Sequence, residues 1–106
     1  MPITNAEFVF LDAYVHEVYT PAMTGPHTRA VRGLGVNQSD LSWLLTAWHR
    51  KALMEGKSPL GSDHTERVPL PWSSKEEILS RSRELREELE HQAAPAEENL
   101  KGSGVF

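Results

Sequence analysis

Residues 34–51 have the sequence Leu34-Gly35-Val36-Asn37-Gln38-Ser39-Asp40-Leu41-Ser42-Trp43-Leu44-Leu45-Thr46-Ala47-Trp48-His49-Arg50-Lys51, and this stretch specifies the fold most strongly. Asn37 or Ser39 can cap the free backbone N–H groups that open a helix. An apolar stripe follows at helical spacing, and it holds two of the three tryptophans of the chain. We therefore predict a helix from about Gln38 to Glu55.

Three further helices are predicted on either side of this stretch. The first runs from residue 4 or 5 to about residue 19 and is apolar around most of its circumference, so it must be covered from several sides. A short helix over about residues 26–32 begins with a proline, which suits a first helical turn. The last helix starts at a capping box within residues 73–77 and reaches about residue 91.

The length of 106 residues favours one domain with a single core. The predicted fold is all-α, a small bundle of three to four helices with Pro/Gly-rich connections and a flexible C-terminal tail. Residues 1–92 are predicted to form the helical domain and residues 93–106 the tail. The connection over residues 57–72 has three prolines and no periodic apolar pattern, so it is expected to lie along the surface.

The composition narrows the function classes. The chain has no cysteine, which excludes disulfides, thiolate metal sites and a cysteine nucleophile, and which suits a reducing compartment. Its net charge of −4 disfavours a general polyanion binder. No secretory signal and no membrane-spanning stretch is found in the sequence, so a cytoplasmic protein without membrane contact is expected.

No pattern of a catalytic or cofactor site occurs in the sequence. The chain lacks a GxSxG nucleophile elbow, an SxxK motif and a glycine-rich dinucleotide loop, so no catalytic residue and no cofactor is predicted, and the sequence does not favour an enzyme. A helical ligand or metal site is a further alternative. It would use Asp12 and His16, which are four residues apart on one helix face, together with His49 on another helix, although no metal ligand set is predicted.

Aromatic residues on the first and third helices suggest a protein interface. Both helices have more apolar surface than a few short helices are expected to conceal, and tyrosine and tryptophan dominate the energetics of protein interfaces. We therefore predict a non-catalytic interaction module, either a homo-oligomer or a small accessory subunit of a larger complex. The predicted partner-binding residues are Phe8, Tyr14, Tyr19, Trp43 and Trp48.

A DNA-binding function is the alternative from a different class. The segment Leu34-Gly35-Val36-Asn37-Gln38-Ser39-Asp40-Leu41-Ser42 resembles the turn and the start of the recognition helix in bacterial helix-turn-helix repressors, over about a dozen residues. The resemblance implies a regulator that uses residues 27–51, with polar side chains on base edges and basic side chains on phosphates. The implied DNA-binding residues are Arg29, Arg32, Gln38, Ser39, Ser42, Arg50 and Lys51.

Overall fold

The computed structural model describes residues 3–20, 25–64 and 66–102. Within these residues the chain forms four α-helices, one turn of 3₁₀ helix and no β-strand, which confirms the predicted all-α class. The helices are α1 (Asn5–Tyr19), α2 (Pro26–Gly33), α3 (Ser42–Met54) and α4 (Lys75–Gly102), and the 3₁₀ turn is Gln38–Leu41. In the described part of the chain, no helix combines the length and the apolar character that crossing a membrane requires.

The N-termini of the first and third helices are fixed by reciprocal capping. The Thr4 hydroxyl accepts the Glu7 N–H at 3.1 Å, and the Glu7 carboxylate accepts the Thr4 N–H at 3.0 Å. Asn37 and Asp40 repeat this capping box before α3. The Asp40 N–H also donates to the Asn37 carbonyl at 3.1 Å, and this i to i+3 bond winds the first turn as 3₁₀ helix. The single helix predicted from Gln38 is therefore a 3₁₀ turn followed by α3.

The last helix starts where the sequence predicts and ends later. The Ser74 hydroxyl accepts the Glu77 N–H at 3.1 Å, which selects one of the two possible capping registers. The helix continues to Gly102, beyond the predicted end near residue 91, over a stretch rich in alanine and glutamate, both good helix formers. Residues 93–102 of the predicted tail are thus helical, and its residues 103–106 lie outside the described residues.

Helix α1 is the central element of the fold. It packs against α2 and α3, while α4 packs against α3 and the 3₁₀ turn. The demand for cover on several sides of α1 is therefore met within one chain. The buried apolar core consists of Ile3, Phe8, Phe10, Leu11, Ala13, Tyr14, Val15, Val31, Val36, Leu41, Leu44, Ala47, Trp48, Ala52, Trp72, Ile78, Leu85 and Leu89.

Three acidic residues of α1 connect it to the rest of the chain. Glu7, Asp12 and Glu17 are spaced five residues apart, and five residues rotate an α-helix by about 500°, which leaves about 140° between successive side chains. The three carboxylates therefore point in three different directions. Each one meets donors from another part of the fold.

Glu7 joins α1 to α4 and to the connection that precedes α4. Its buried carboxylate accepts two N–H groups of Arg81, at 2.7 and 3.0 Å, and the indole N–H of Trp72 at 3.0 Å. Burial alone would raise the pKa of Glu7, but the bonds from Arg81, the Thr4 N–H and Trp72 outweigh it, and the net pKa is lowered. The carboxylate is therefore held in its charged form.

Asp12 joins α1 to α3 and to the connection over residues 57–72. One carboxylate oxygen accepts the indole N–H of Trp48 at 2.9 Å, and the other lies 3.7 Å from His64 Nε2. The Asp12 carbonyl accepts the Ser62 N–H at 3.2 Å. Gly61 permits this approach, because it adopts φ +77° and a Cβ there would lie 2.4 Å from the Asp12 carbonyl oxygen.

Glu17 holds the start of α2. Gly25 provides no side-chain cap for this helix, and the Glu17 carboxylate accepts the N–H groups of His27 and Thr28 instead, at 3.2 and 2.9 Å. His27 Nε2 accepts the Val68 N–H at 2.9 Å, so the ring proton is on Nδ1 and is donated to Glu17 at 2.7 Å. Burial opposes the charge of Glu17, but these bonds outweigh it and lower its pKa.

Candidate partner-binding groove

A groove runs along the C-terminal half of α1, between this helix and α3. Its volume is about 540 Å³, within the range of ligand and peptide sites. We call it the α1–α3 groove. It is lined by Tyr14, Val15, Val18, Tyr19, Gln38, Leu45, Thr46, Trp48, His49, Arg50, Pro59 and Leu60.

A smaller hollow of about 260 Å³ adjoins the groove on the side of α2. Tyr14, Val18 and Gln38 line both, so the two spaces share one face of α1. We call the smaller space the α2 hollow. Its remaining lining residues are Thr28, Val31, Arg32, Val36 and Asn37.

Helical periodicity places these side chains together. On α1 the lining residues are the i, i+4 pairs Tyr14 with Val18 and Val15 with Tyr19, which lie on adjacent faces of the helix. Tyr14 and Trp48 are 6% and 2% exposed and form the floor. At the rim Tyr19 is 67% exposed and Leu60 is 56% exposed, so the groove is open to solvent.

The floor of the groove is held by hydrogen bonding and burial. The indole N–H of Trp48 is satisfied by the buried Asp12 carboxylate, which fixes the orientation of the ring. Burial raises the pKa of Tyr14, and the nearby Arg32 charge only partly offsets this, so the phenol remains neutral. The floor of the groove is therefore aromatic and uncharged.

The charged side chains that line the groove and the α2 hollow are arginines. Among the described residues, no aspartate or glutamate lines the groove or the α2 hollow, although the chain has 15 acidic residues. Arg50 lines the groove, Arg32 lines the hollow, and both are exposed. The arrangement can bury apolar side chains while it offers cationic groups at the edge.

The structure brings together three of the five aromatic residues predicted to bind a partner. Tyr14, Tyr19 and Trp48 line the groove, and only Tyr19 among them is exposed. Phe8, also predicted to bind a partner, lies outside the groove and is buried beside Trp48 at 6.3 Å between ring centres. Trp43 is partly buried beneath the Arg86 guanidinium, 5.9 Å from its ring centre.

Phe8 is covered by other side chains of the same chain. The Lys51 and Lys57 ammonium groups lie 5.2 and 4.8 Å from the ring centre of Phe8, and such long side chains can shield an aromatic ring with their stems. The sequence interpretation missed Val15, Val18, Leu45 and Leu60 as lining residues. Helical spacing could have indicated the first three, but Leu60 belongs to a connection without a period.

The residues of the DNA-binding alternative lie in different surroundings. Arg29, Arg32, Gln38, Ser39, Ser42 and Arg50 are exposed, and Lys51 pairs with Glu55 at 2.7 Å. In a helix-turn-helix the two helices pack across the turn, but no Cα of α2 comes within 8 Å of a Cα of α3. The start of the supposed recognition helix is also covered by α4, since the Ser82 hydroxyl donates to the Asp40 carbonyl at 3.0 Å.

The residues of the metal alternative are not gathered at one point. Asp12 faces Trp48 and His64, His16 Nε2 lies 3.9 Å from Asp63, and His49 lines the groove. Within the part of the chain that the structure describes, no group of three or more histidines, aspartates and glutamates is placed to hold a metal ion.

No known protein family, curated protein or solved structure matches the chain. The groove combines a buried aromatic floor, an exposed apolar rim and arginines at its edge.

Proposed function

We propose that the chain is a non-catalytic interaction module that binds an apolar segment of a partner protein in the α1–α3 groove. The observation that carries the proposal is the convergence of Tyr14, Tyr19 and Trp48 with aliphatic side chains around one open space of about 540 Å³. Buried aromatic anchors with an exposed apolar rim are typical of sites where a few side chains of a partner insert.

A protein segment fits this groove better than an enclosed small molecule does. Small ligands are usually surrounded on most sides, whereas this groove is open along an exposed rim. A space between two helices suits an amphipathic helix that inserts side chains at i, i+3, i+4 and i+7. Each fully buried apolar anchor of the partner would contribute about 1.5 to 3 kcal/mol.

A random peptide library displayed on phage and selected against the purified protein tests the proposal. We expect selected peptides to have apolar residues at helical spacing and to lose at least about tenfold in affinity for Leu60→Asp, because a charge is then placed at the apolar rim. Met54→Asp is the matched control. Met54 is 81% exposed but does not line the groove, so its substitution should leave the affinity unchanged.

The proposal is wrong if no selected peptide distinguishes Leu60→Asp from Met54→Asp. If the peptides do distinguish the two variants, sedimentation equilibrium of the wild-type protein shows whether the partner is a second copy of the chain or another protein. Self-association that Leu60→Asp abolishes would identify a second copy of the chain as the source of the segment, which is the homo-oligomer form of the proposal. A monomer that binds the selected peptides would support the accessory-subunit form.

A further inference from the structure

The edge charges of the groove indicate the chemistry of its partner. Resting on the function proposed above, we infer that the bound segment is acidic, with carboxylates flanking the apolar side chains that enter the groove. The chain is acidic overall, with a net charge of −4, yet the described residues that line the groove and the α2 hollow include no acidic side chain. The charged side chains that line the two spaces therefore have the opposite sign to the net charge of the chain.

Arg32 and Arg50 approach the shared face of α1 from two sides. Arg32 is on α2 and Arg50 is on α3, and both helices pack against α1, while no Cα of α2 comes within 8 Å of a Cα of α3. Tyr14 and Val18 line both the groove, which Arg50 also lines, and the α2 hollow, which Arg32 also lines. A segment lying over these two side chains would have one cation on each side.

No described side chain neutralises either arginine. Within the described residues, Arg32 and Arg50 take part in no ion pair, while Lys51, Lys57 and Arg86 each pair with a nearby glutamate. Unpaired cations at the rim of an apolar site attract carboxylates and exclude basic partners. Their contribution is to selectivity and to the rate of association more than to affinity.

An acidic peptide suits this site better than a nucleic acid does. Nucleic-acid affinity depends on many phosphate contacts, and this face has two arginines on a chain of negative net charge. The space between the arginines is also apolar and buried at its floor. Apolar side chains can pack against that floor, whereas burying a charged phosphate there would have a large desolvation penalty.

Two displayed libraries, selected in parallel, test the inference. One is selected on the wild-type protein and the other on the double variant Arg32→Glu and Arg50→Glu. We expect aspartate and glutamate to be enriched among the wild-type peptides and lysine and arginine among the variant peptides. A wild-type peptide should bind the double variant about tenfold more weakly, equivalent to ~1.4 kcal/mol. Its affinity for the wild type should fall as salt is raised.

The control changes the net charge equally at a distance from the groove. Lys75→Glu with Arg83→Glu alters two exposed basic residues of α4 that line neither space, and it should leave both affinity and selected composition unchanged. Selected peptides without an enrichment of aspartate and glutamate would overturn the inference. If Leu60→Asp still lowered the affinity of those peptides, the proposed binding function of the groove would stand. If Leu60→Asp had no effect, the proposed function would fail as well. A single-stranded oligonucleotide that bound through Arg32 and Arg50, in place of acidic peptides, would also overturn it.

Discussion

Replacing Glu7 by glutamine should strongly destabilise the fold. Each Glu7 carboxylate oxygen accepts two N–H groups, Oε1 from Thr4 and Arg81, and Oε2 from Trp72 and Arg81. Glutamine keeps the volume, but its amide nitrogen must face one of these pairs of donors. Two charge-assisted hydrogen bonds are then lost, each worth about 1.5 to 3 kcal/mol. We expect Glu7→Gln to reduce the free energy of unfolding by about 3 to 5 kcal/mol.

Urea denaturation followed by tryptophan fluorescence and circular dichroism measures this loss. The matched control is Glu90→Gln, which makes the same change at an exposed residue that pairs with Arg86 on α4 at 3.3 Å. Exposed pairs contribute only about 0.3 to 0.5 kcal/mol, so the control should remain close to wild type. Equal destabilisation by the two substitutions would refute the claim that Glu7 fixes α4 and its preceding connection to α1.

Two other predictions concern the close approach at Gly61 and acid stability. Gly61→Ala should destabilise the protein by about 2 to 4 kcal/mol, since φ is +77° and the new Cβ would collide with the backbone of α1. Gly33→Ala should be neutral, because a Cβ at residue 33 would have no atom within 4 Å. Similar unfolding midpoints for the two variants would contradict this reasoning. Glu7 and Glu17 have pKa values below the ordinary 4.5 in the folded state, so their stabilisation is complete above that pH and is lost as the pH falls through the folded values. The urea midpoint of the wild type should therefore fall in acid, and that of Glu7→Gln should fall less steeply. A wild-type midpoint that stays constant between about pH 5 and pH 3 would contradict this prediction.

The helices could be predicted from sequence because their signals are local. Thr4 with Glu7 and Asn37 with Asp40 are capping boxes that act over three residues, and both form as hydrogen bonds in the structure. Proline and glycine near residues 20–26 likewise mark the break between the first two helices. Such signals involve residues that are close together in the sequence, so they can be recognised in a single sequence.

The cover of α1 could not be predicted in the same way. Phe10 is buried between the His27 ring and Trp72, at 5.5 and 5.4 Å between ring centres, and both neighbours come from segments that lack a continuous apolar period. Counting only the apolar faces of helices therefore overestimates the exposed aromatic surface. The polar partners of Glu7, Asp12 and Glu17 are also distant in sequence, and no local pattern joins them.

The groove was predictable only in part for the same reason. Tyr14, Tyr19 and Trp48 were found because aromatic residues on helices are obvious candidates. Leu60 required knowledge of where the connection over residues 57–72 crosses the fold, and that path depends on contacts between Gly61 and the backbone of α1. Tertiary packing, not propensity, decides such a position.

The five-residue spacing of the carboxylates on α1 sets a limit on how this chain can vary in length. One residue inserted between Glu7 and Asp12 would turn the remainder of the helix by about 100°, so that Asp12 and Glu17 would both point away from their donors. The indole of Trp48 and the first turn of α2 would lose their acceptors together. Substitution of the exposed Asn5 or Ala6 leaves this alignment intact, whereas a single insertion or deletion within the helix would break two of these connections at once.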